Sequence, residues 1–194
     1  MKGNNSIELL EDLEQLTNQL LSFLAVRISP LSANQLKWSQ AGTWSCSEVI
    51  QHMNAYASHY HPTLLKKMKS EENEQPVPVF VSSPLGASAW KSMRLGNAGN
   101  IRRKFKTPKL FNPAKNKLLV RTNFLEECEQ HQKVLLTILD QAKKVNLRKV
   151  KISWSLSRLI RLRLGDALMF IVYHNRRHQQ QLMNILSDPT FPHS

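Results

Sequence analysis

The feature that most constrains this chain is a set of four stretches whose apolar residues recur every three or four positions, separated by one long segment where that rhythm stops. Apolar side chains at that spacing line one face of a helix, so each stretch can bury a stripe only against another element. Ile7, Leu10, Leu13, Leu16, Leu20 and Leu24 mark the first helix, which must end before Pro30 because proline disfavours helical backbone in the residue before it. LSANQLKWSQAGTW then reads as loop. Ser45 and Glu48 stand in capping-box register and predict a second helix from Cys46 to about Lys69. Its stripe is Val49, His52, Met53, Tyr56, Tyr60 and Leu64. Leu118, Phe124, Leu125, Cys128, Leu135, Ile138 and Leu139 predict a third helix over 115–143, and a fourth is expected over 165–186 with Asp166 in its first turn.

No stretch alternates as a strand would, so the expected class is all-α, a four-helix bundle in one domain over 1–194. The anomaly is the segment 72–113, which holds Pro76, Pro78, Pro84, Pro108 and Pro113 and three of the six glycines. At about 3.3 Å per residue, some 40 residues can return along a helix about 35 Å long and leave helices two and three parallel. A simple insert would also fit.

Charge excludes some classes. Lysine and arginine number 27 against 14 acids, but residues 1–75 carry 6 and 8, residues 76–125 carry 10 and none, and residues 126–194 carry 11 and 6. An evenly basic, histone-like chain is ruled out. The longest apolar runs fall far short of the roughly 20 residues of a membrane span. The opening MKGNNSIELLEDLEQL lacks the layout of a signal peptide, and Cys46 and Cys128 fit neither a disulfide framework nor a zinc finger. A cytoplasmic protein with no membrane partner is expected.

Seven histidines are the most informative residues. His174 and His178 lie four apart on the stripe Ala167, Ile171, His174, His178, Leu182, Ile185, so their Cβ atoms sit about 5–6 Å apart on one face. His52 lies on the stripe of helix two. Three imidazoles directed into one core suit a divalent cation with an open position, and equally suit core histidines held by hydrogen bonds. The glutamate of an HExxH motif is missing, since Asn175 follows His174.

The surrounding residues add a resemblance. GTWSCSEVIQHM resembles the Trp-Ser-x-x-Glu-x-x-x-His start of helix two in the DinB/YfiT-like family of candidate metalloenzymes. GDALMFIVYHNRRHQQQ is similar to that family's closing His-x-x-Arg-His-x-x-Gln. The matching positions are Trp44, Ser45, His52, His174, Arg177, His178 and Gln181, and KWSQAGTWS and KTPKLFNP extend the likeness over nearly the whole chain. The resemblance implies up-down-down-up topology and a site for zinc, nickel or a similar ion on His52, His174 and His178. It also implies one of several activities: thiol-dependent S-transfer with bacillithiol or mycothiol, maleylpyruvate isomerisation, or hydrolysis.

Other residues have weaker claims. His59 is two turns beyond His52, about 10.5 Å along the axis, too far to share an ion. His61, beside Pro62, is expected on a surface or pocket wall like His59, His131 has no paired partner, and His193 sits in the tail. Tyr56 is expected to border the cavity or pack in the core, Gln181 to hydrogen-bond a ligand or a metal-bound water, and Arg177 to line the pocket or back the ligands, or instead to pair with Glu48 or Asp166. Cys46 occupies a first helical turn, which lowers a thiol pKa, but a plain small residue is the expectation.

The run of cations from Lys91 to Arg121, interleaved with Trp90, Phe105 and Phe111, suits nucleic acid by charge and stacking. It carries no known nucleic-acid-binding signature, and a solvated rim or steering of an anionic substrate fits it too. The sequence therefore predicts a divalent-metal-dependent hydrolase or low-molecular-weight-thiol S-transferase acting on a small, anionic molecule. A basic nucleic-acid-binding or non-catalytic stress-response bundle with structural histidines is the alternative. A homodimer is expected from the apolar faces of such bundles.

Overall fold

Asn5 starts the first helix: its side-chain oxygen accepts from the backbone N–H groups of Ile7 and Glu8, satisfying donors that a helix start leaves unpaired. The computed structural model describes residues 3–71, 75–102, 105–154 and 157–192, with His193 outside them. Strand β1 (Asn4–Asn5) leads into α1 (Ser6–Phe23), which ends in a π-helical turn at Leu24–Ile28. Leu24 and Ile28 of that turn both face the core. The expected loop holds a short helix α2 (Ala33–Lys37), started by a capping box of Ser32 and Gln35. Helix α3 (Cys46–Ser70) begins with the expected box of Ser45 and Glu48 and runs through Pro62.

The crossover is more ordered than its sequence suggests. Strand β2 (Val79–Phe80) pairs antiparallel with β1, and helix α4 (Pro84–Met93) follows, capped by Ser83 with Pro84 in its first turn. Asp166 fixes this helix in place. Its fully buried carboxylate accepts from the N–H and hydroxyl of Ser83 at 3.1 and 3.0 Å. A Cβ on Gly86 would come within 2.0 Å of that carboxylate, so only glycine admits this approach.

Two further expectations are corrected. The third long helix, α5 (Phe124–Ala142), starts nine residues later than expected; short 3₁₀ turns at Lys109–Phe111 and Lys117–Leu119 precede it. The Asn112 carbonyl accepts from Lys115 and Asn116 there, closing turns rather than a helix. The basic approach to the last helix is a hairpin where no strand was expected, and the chain is mostly helical with only small strand pairs. Strands β3 (Lys151–Trp154) and β4 (Ser157–Arg163) pair antiparallel with Ile152 opposite Leu162, both buried. Helix α6 (Leu164–Leu186) closes the fold.

α3 packs on α5 and α6, α1 packs on the same two helices, and α4 covers α6. Contacts between α3 and α5 advance together, from Asn54 with Phe124 to Ser58 with His131. Those between α3 and α6 run oppositely: His52 meets His178, Tyr56 meets His174 and Tyr60 meets Phe170. The core forms two clusters. One gathers Leu10, Leu13, Tyr60, Leu135, Ile138 and Leu168, and the other Leu20, Leu24, Val49, Ile50, Cys128 and Leu182. Each fully buried large side chain contributes on the order of 1.5–3 kcal/mol. His52, His174 and His178 fall at the seam between the clusters, since each lies in sequence between members of both. Among the described residues no helix is long and apolar enough to cross a membrane.

Candidate metal centre

The antiparallel register of α3 and α6 brings His52 against the pair four residues apart, His174 and His178. The ligand nitrogens of all three lie within 4.8 Å of one another, and all three side chains are buried. Nε2 of His174 is 3.2 Å from Nε2 of His52 and 3.2 Å from Nε2 of His178. The remaining nitrogens are held outward. His52 Nδ1–H donates to the Phe111 carbonyl at 2.6 Å, and His178 Nδ1–H donates to Gln181 Oε1 at 2.9 Å.

These outer bonds fix the chemistry of the inner atoms. A carbonyl oxygen only accepts, so the proton of a neutral His52 sits on Nδ1 and its Nε2 presents a lone pair. The same holds for His178. Burial pushes the His52 imidazole down to about 4, against the raising effect of the Phe111 carbonyl. His174 and His178 are held well below the usual histidine range, first by burial and then by the neighbouring imidazoles and Arg177. All three are therefore neutral at pH 7. Two lone pairs face His174 Nε2, which can offer a hydrogen to only one of them.

A divalent cation resolves that conflict, and the spacing fits it. Nitrogens about 2.0–2.1 Å from a tetrahedral zinc lie about 3.3–3.4 Å from each other, close to the two 3.2 Å separations. Outward Nδ1–H groups bonded to a carbonyl and an amide oxygen are the outer shell that metal-binding histidines normally carry.

Rings wall the centre. Tyr56 lies 4.3 Å from His174 and 4.9 Å from His52 between centroids, Phe111 4.2 Å from Tyr56, and Trp44 4.9 Å from His52. Tyr56 thus combines its two expected roles, bordering the site and packing in the core. The Arg177 guanidinium lies over the Phe105 ring at 5.4 Å. Its two expected partners are engaged elsewhere, Glu48 in the cap of α3 and Asp166 with Ser83. Beside the centre, a cleft of about 290 Å³ is lined by Gln51, Asn54, Ser58, His59, Phe111 and Leu118 among others. Phe111 belongs to both, lining the cleft and bonding His52 through its carbonyl.

The remaining candidates sort differently. His59 is exposed on the cleft wall, as expected. His61 is not at a surface: it is 4% exposed, and burial pushes it down to about 3. Nor is His131 alone, since its ring meets His61 at 5.4 Å and its Nε2 lies 3.2 Å from Ser58 Oγ. Burial pushes the Cys46 thiol up to about 11, outweighing any effect of the helix start. Sequence reasoning missed the role of Phe111. Its segment KTPKLFNP carried part of the family likeness, but a backbone carbonyl has no side-chain signature.

The three neutral imidazoles that converge in the core of this mostly helical protein form a group able to hold a metal ion. The sequence profile of the DinB superfamily matches residues 12–182, and the chain belongs to that superfamily. Among curated proteins and among solved structures, nothing matches it.

Proposed function

We propose that this protein is a divalent-metal-dependent enzyme whose ion, zinc or nickel, is held by His52, His174 and His178. The observation that carries the reading is the convergence of three Nε2 atoms, two of them with their Nδ1 protons locked outward on Phe111 and Gln181. We read the architecture as a single-domain, up-down-down-up four-helix bundle of α1, α3, α5 and α6. The parallel contacts of α3 with α5 and the antiparallel ones of α3 with α6 support it.

A cation held there supplies Lewis acidity, lowering the pKa of a coordinated water or thiol. The protein supplies the rest. Three neutral side chains leave the ion its full charge, and the Phe111 carbonyl and Gln181 hold two of the rings in register. Tyr56, Phe111 and Trp44 keep the surroundings apolar, which strengthens electrostatic interactions inside. Arg177, one residue before His178, brings a permanent cation close to the ligands and favours an anionic substrate or a thiolate. The reaction class is hydrolysis, or transfer of a low-molecular-weight thiol to an electrophile.

Metal analysis of the purified native protein tests this directly. One equivalent of a divalent metal is expected, with its loss in His174→Ala, together with metal-dependent hydrolysis or thiol transfer. A protein without divalent metal, whose metal uptake is the same in His174→Ala, refutes the reading.

A further inference from the structure

The β3–β4 hairpin carries charge for which the metal centre has no use. Its strands alternate: Ile152 and Leu162 face the core, while Lys151, Ser153 and Arg161 are exposed and Arg163 is half-buried. The register sets Lys151 opposite Arg163 and Ser153 opposite Arg161. Like charges directly opposite one another destabilise a ladder, whereas opposite charges there stabilise it. Arg148, exposed in the preceding turn, adds a further cation, and Lys151 Nζ donates to its carbonyl at 2.9 Å. Among the described residues, no carboxylate forms an ion pair with Arg148, Lys151, Arg161 or Arg163. Asp166 is the one carboxylate that acts on Lys151, from beyond ion-pair distance, and it is outweighed by burial and by Arg163.

The ribbon is also held rigidly. Ile152 and Leu162 pin it to the core, Val150 accepts from the Leu164 N–H, and Arg163 Nη1 donates to the Val81 carbonyl at 2.5 Å. Outward side chains on a strand recur about every 6.7 Å, about twice the 3.4 Å axial spacing of phosphates along one nucleic-acid strand. We propose that this face binds the phosphate backbone of nucleic acid, with Arg148, Lys151, Arg161 and Arg163 as the contacts and without sequence preference. An anionic lipid surface fits less well. Lys151, Ser153, Arg161 and Arg163 offer no apolar side chain to enter an interface, and the exposed Leu110, Leu118 and Val120 belong to another segment.

Four phosphate contacts give a slope of log K against log salt of about −3.6, hence about a 100-fold loss of affinity between roughly 50 and 200 mM salt. The test is fluorescence anisotropy of a short labelled DNA duplex titrated with the full chain across that range. Lys151→Gln with Arg161→Gln should reduce the slope by about 2, without lowering the thermal melt or the metal content. Lys115→Gln with Lys117→Gln, just before α5, should leave the slope unchanged. Three results overturn the proposal: no duplex binding at low salt, an equal effect of the two double variants, or tighter binding to vesicles of anionic phospholipid than to duplex. Removing the metal with a chelator should not alter duplex binding, which separates this inference from the metal-enzyme reading.

Discussion

Gln181→Met tests whether the outer bond to His178 matters for metal binding. The substitution preserves approximate length and helix propensity and removes the oxygen that accepts from His178 Nδ1–H at 2.9 Å. Two outcomes are open to the ring. It can keep its proton on Nδ1, leaving a largely buried donor without its partner at about 1–3 kcal/mol. Alternatively the proton moves to Nε2 and blocks the atom that faces the ion. Loss of such an outer partner typically weakens metal affinity about 10–100-fold, which is about 1.4–2.7 kcal/mol.

With metal fixed at about 1,000 times the wild-type Kd, binding stabilises the native state by about 4.1 kcal/mol. A 100-fold weaker site leaves about 1.4 kcal/mol under the same conditions. The difference lowers the Tm of the metal-loaded form by about 5–11 °C for a chain of this size. The assay is a competition titration against a chromophoric chelator, with melts of the metal-free and metal-loaded proteins. Gln181→Glu, which keeps an acceptor, should bind at least as tightly as wild type. Unchanged affinity in Gln181→Met would refute the argument that Nδ1 anchoring prepares the site. So would a loss of Tm as large without metal as with it.

Two further predictions rest on burial. His61 is held neutral by desolvation, with a further lowering from His131, down to about 3. The folded state therefore rejects a proton that the unfolded chain takes up near 6.5. This contribution is absent above that pH and grows as pH falls towards 3, reaching about 2 kcal/mol of destabilisation at pH 5. The stability of His61→Phe, measured by urea titration, should fall less than that of wild type between pH 7 and pH 5, and parallel profiles would contradict it. Cys46 and Cys128 are both buried, with thiols pushed up to about 11 and about 12, chiefly by desolvation. A thiol reagent at neutral pH should leave native protein unlabelled and modify both residues in denaturant; rapid labelling of the native state would contradict the burial.

The sequence was readable where a residue's partner lies within one turn or one stripe. The capping box of Ser45 and Glu48, the i,i+4 pair His174 and His178, and Gln181 three residues on are local relations, and the structure contains each of them. It was misread where local pattern is ambiguous. Leu118 carries apolar character into a segment that forms turns, and it is 79% exposed. The run Val150, Ile152, Leu162, Leu164 does alternate with Lys151, Arg161 and Arg163, yet the density of charge hid the hairpin. Long-range polar contacts were out of reach altogether. Nothing near Asp166 announces that it accepts from Ser83, and nothing near His61 announces His131 across the α3–α5 interface.

The two anchored histidines differ in what holds them, and this links the crossover to the site. His178 depends on a residue one turn away on its own helix, so its orientation forms with α6. His52 depends on a carbonyl 59 residues away, delivered only when the 109–111 turn is seated with the Phe111 ring against Tyr56 and His59. No substitution removes a backbone carbonyl, so the bond can be lost only by displacing the turn. Phe111 is 2% exposed, and truncating such a ring costs about 3–5 kcal/mol. Phe111→Ala therefore acts on His52 although it leaves every imidazole in place. The crossover that breaks the helical pattern is thus a structural part of the centre, completing from outside the helices the orientation of the ligand on α3.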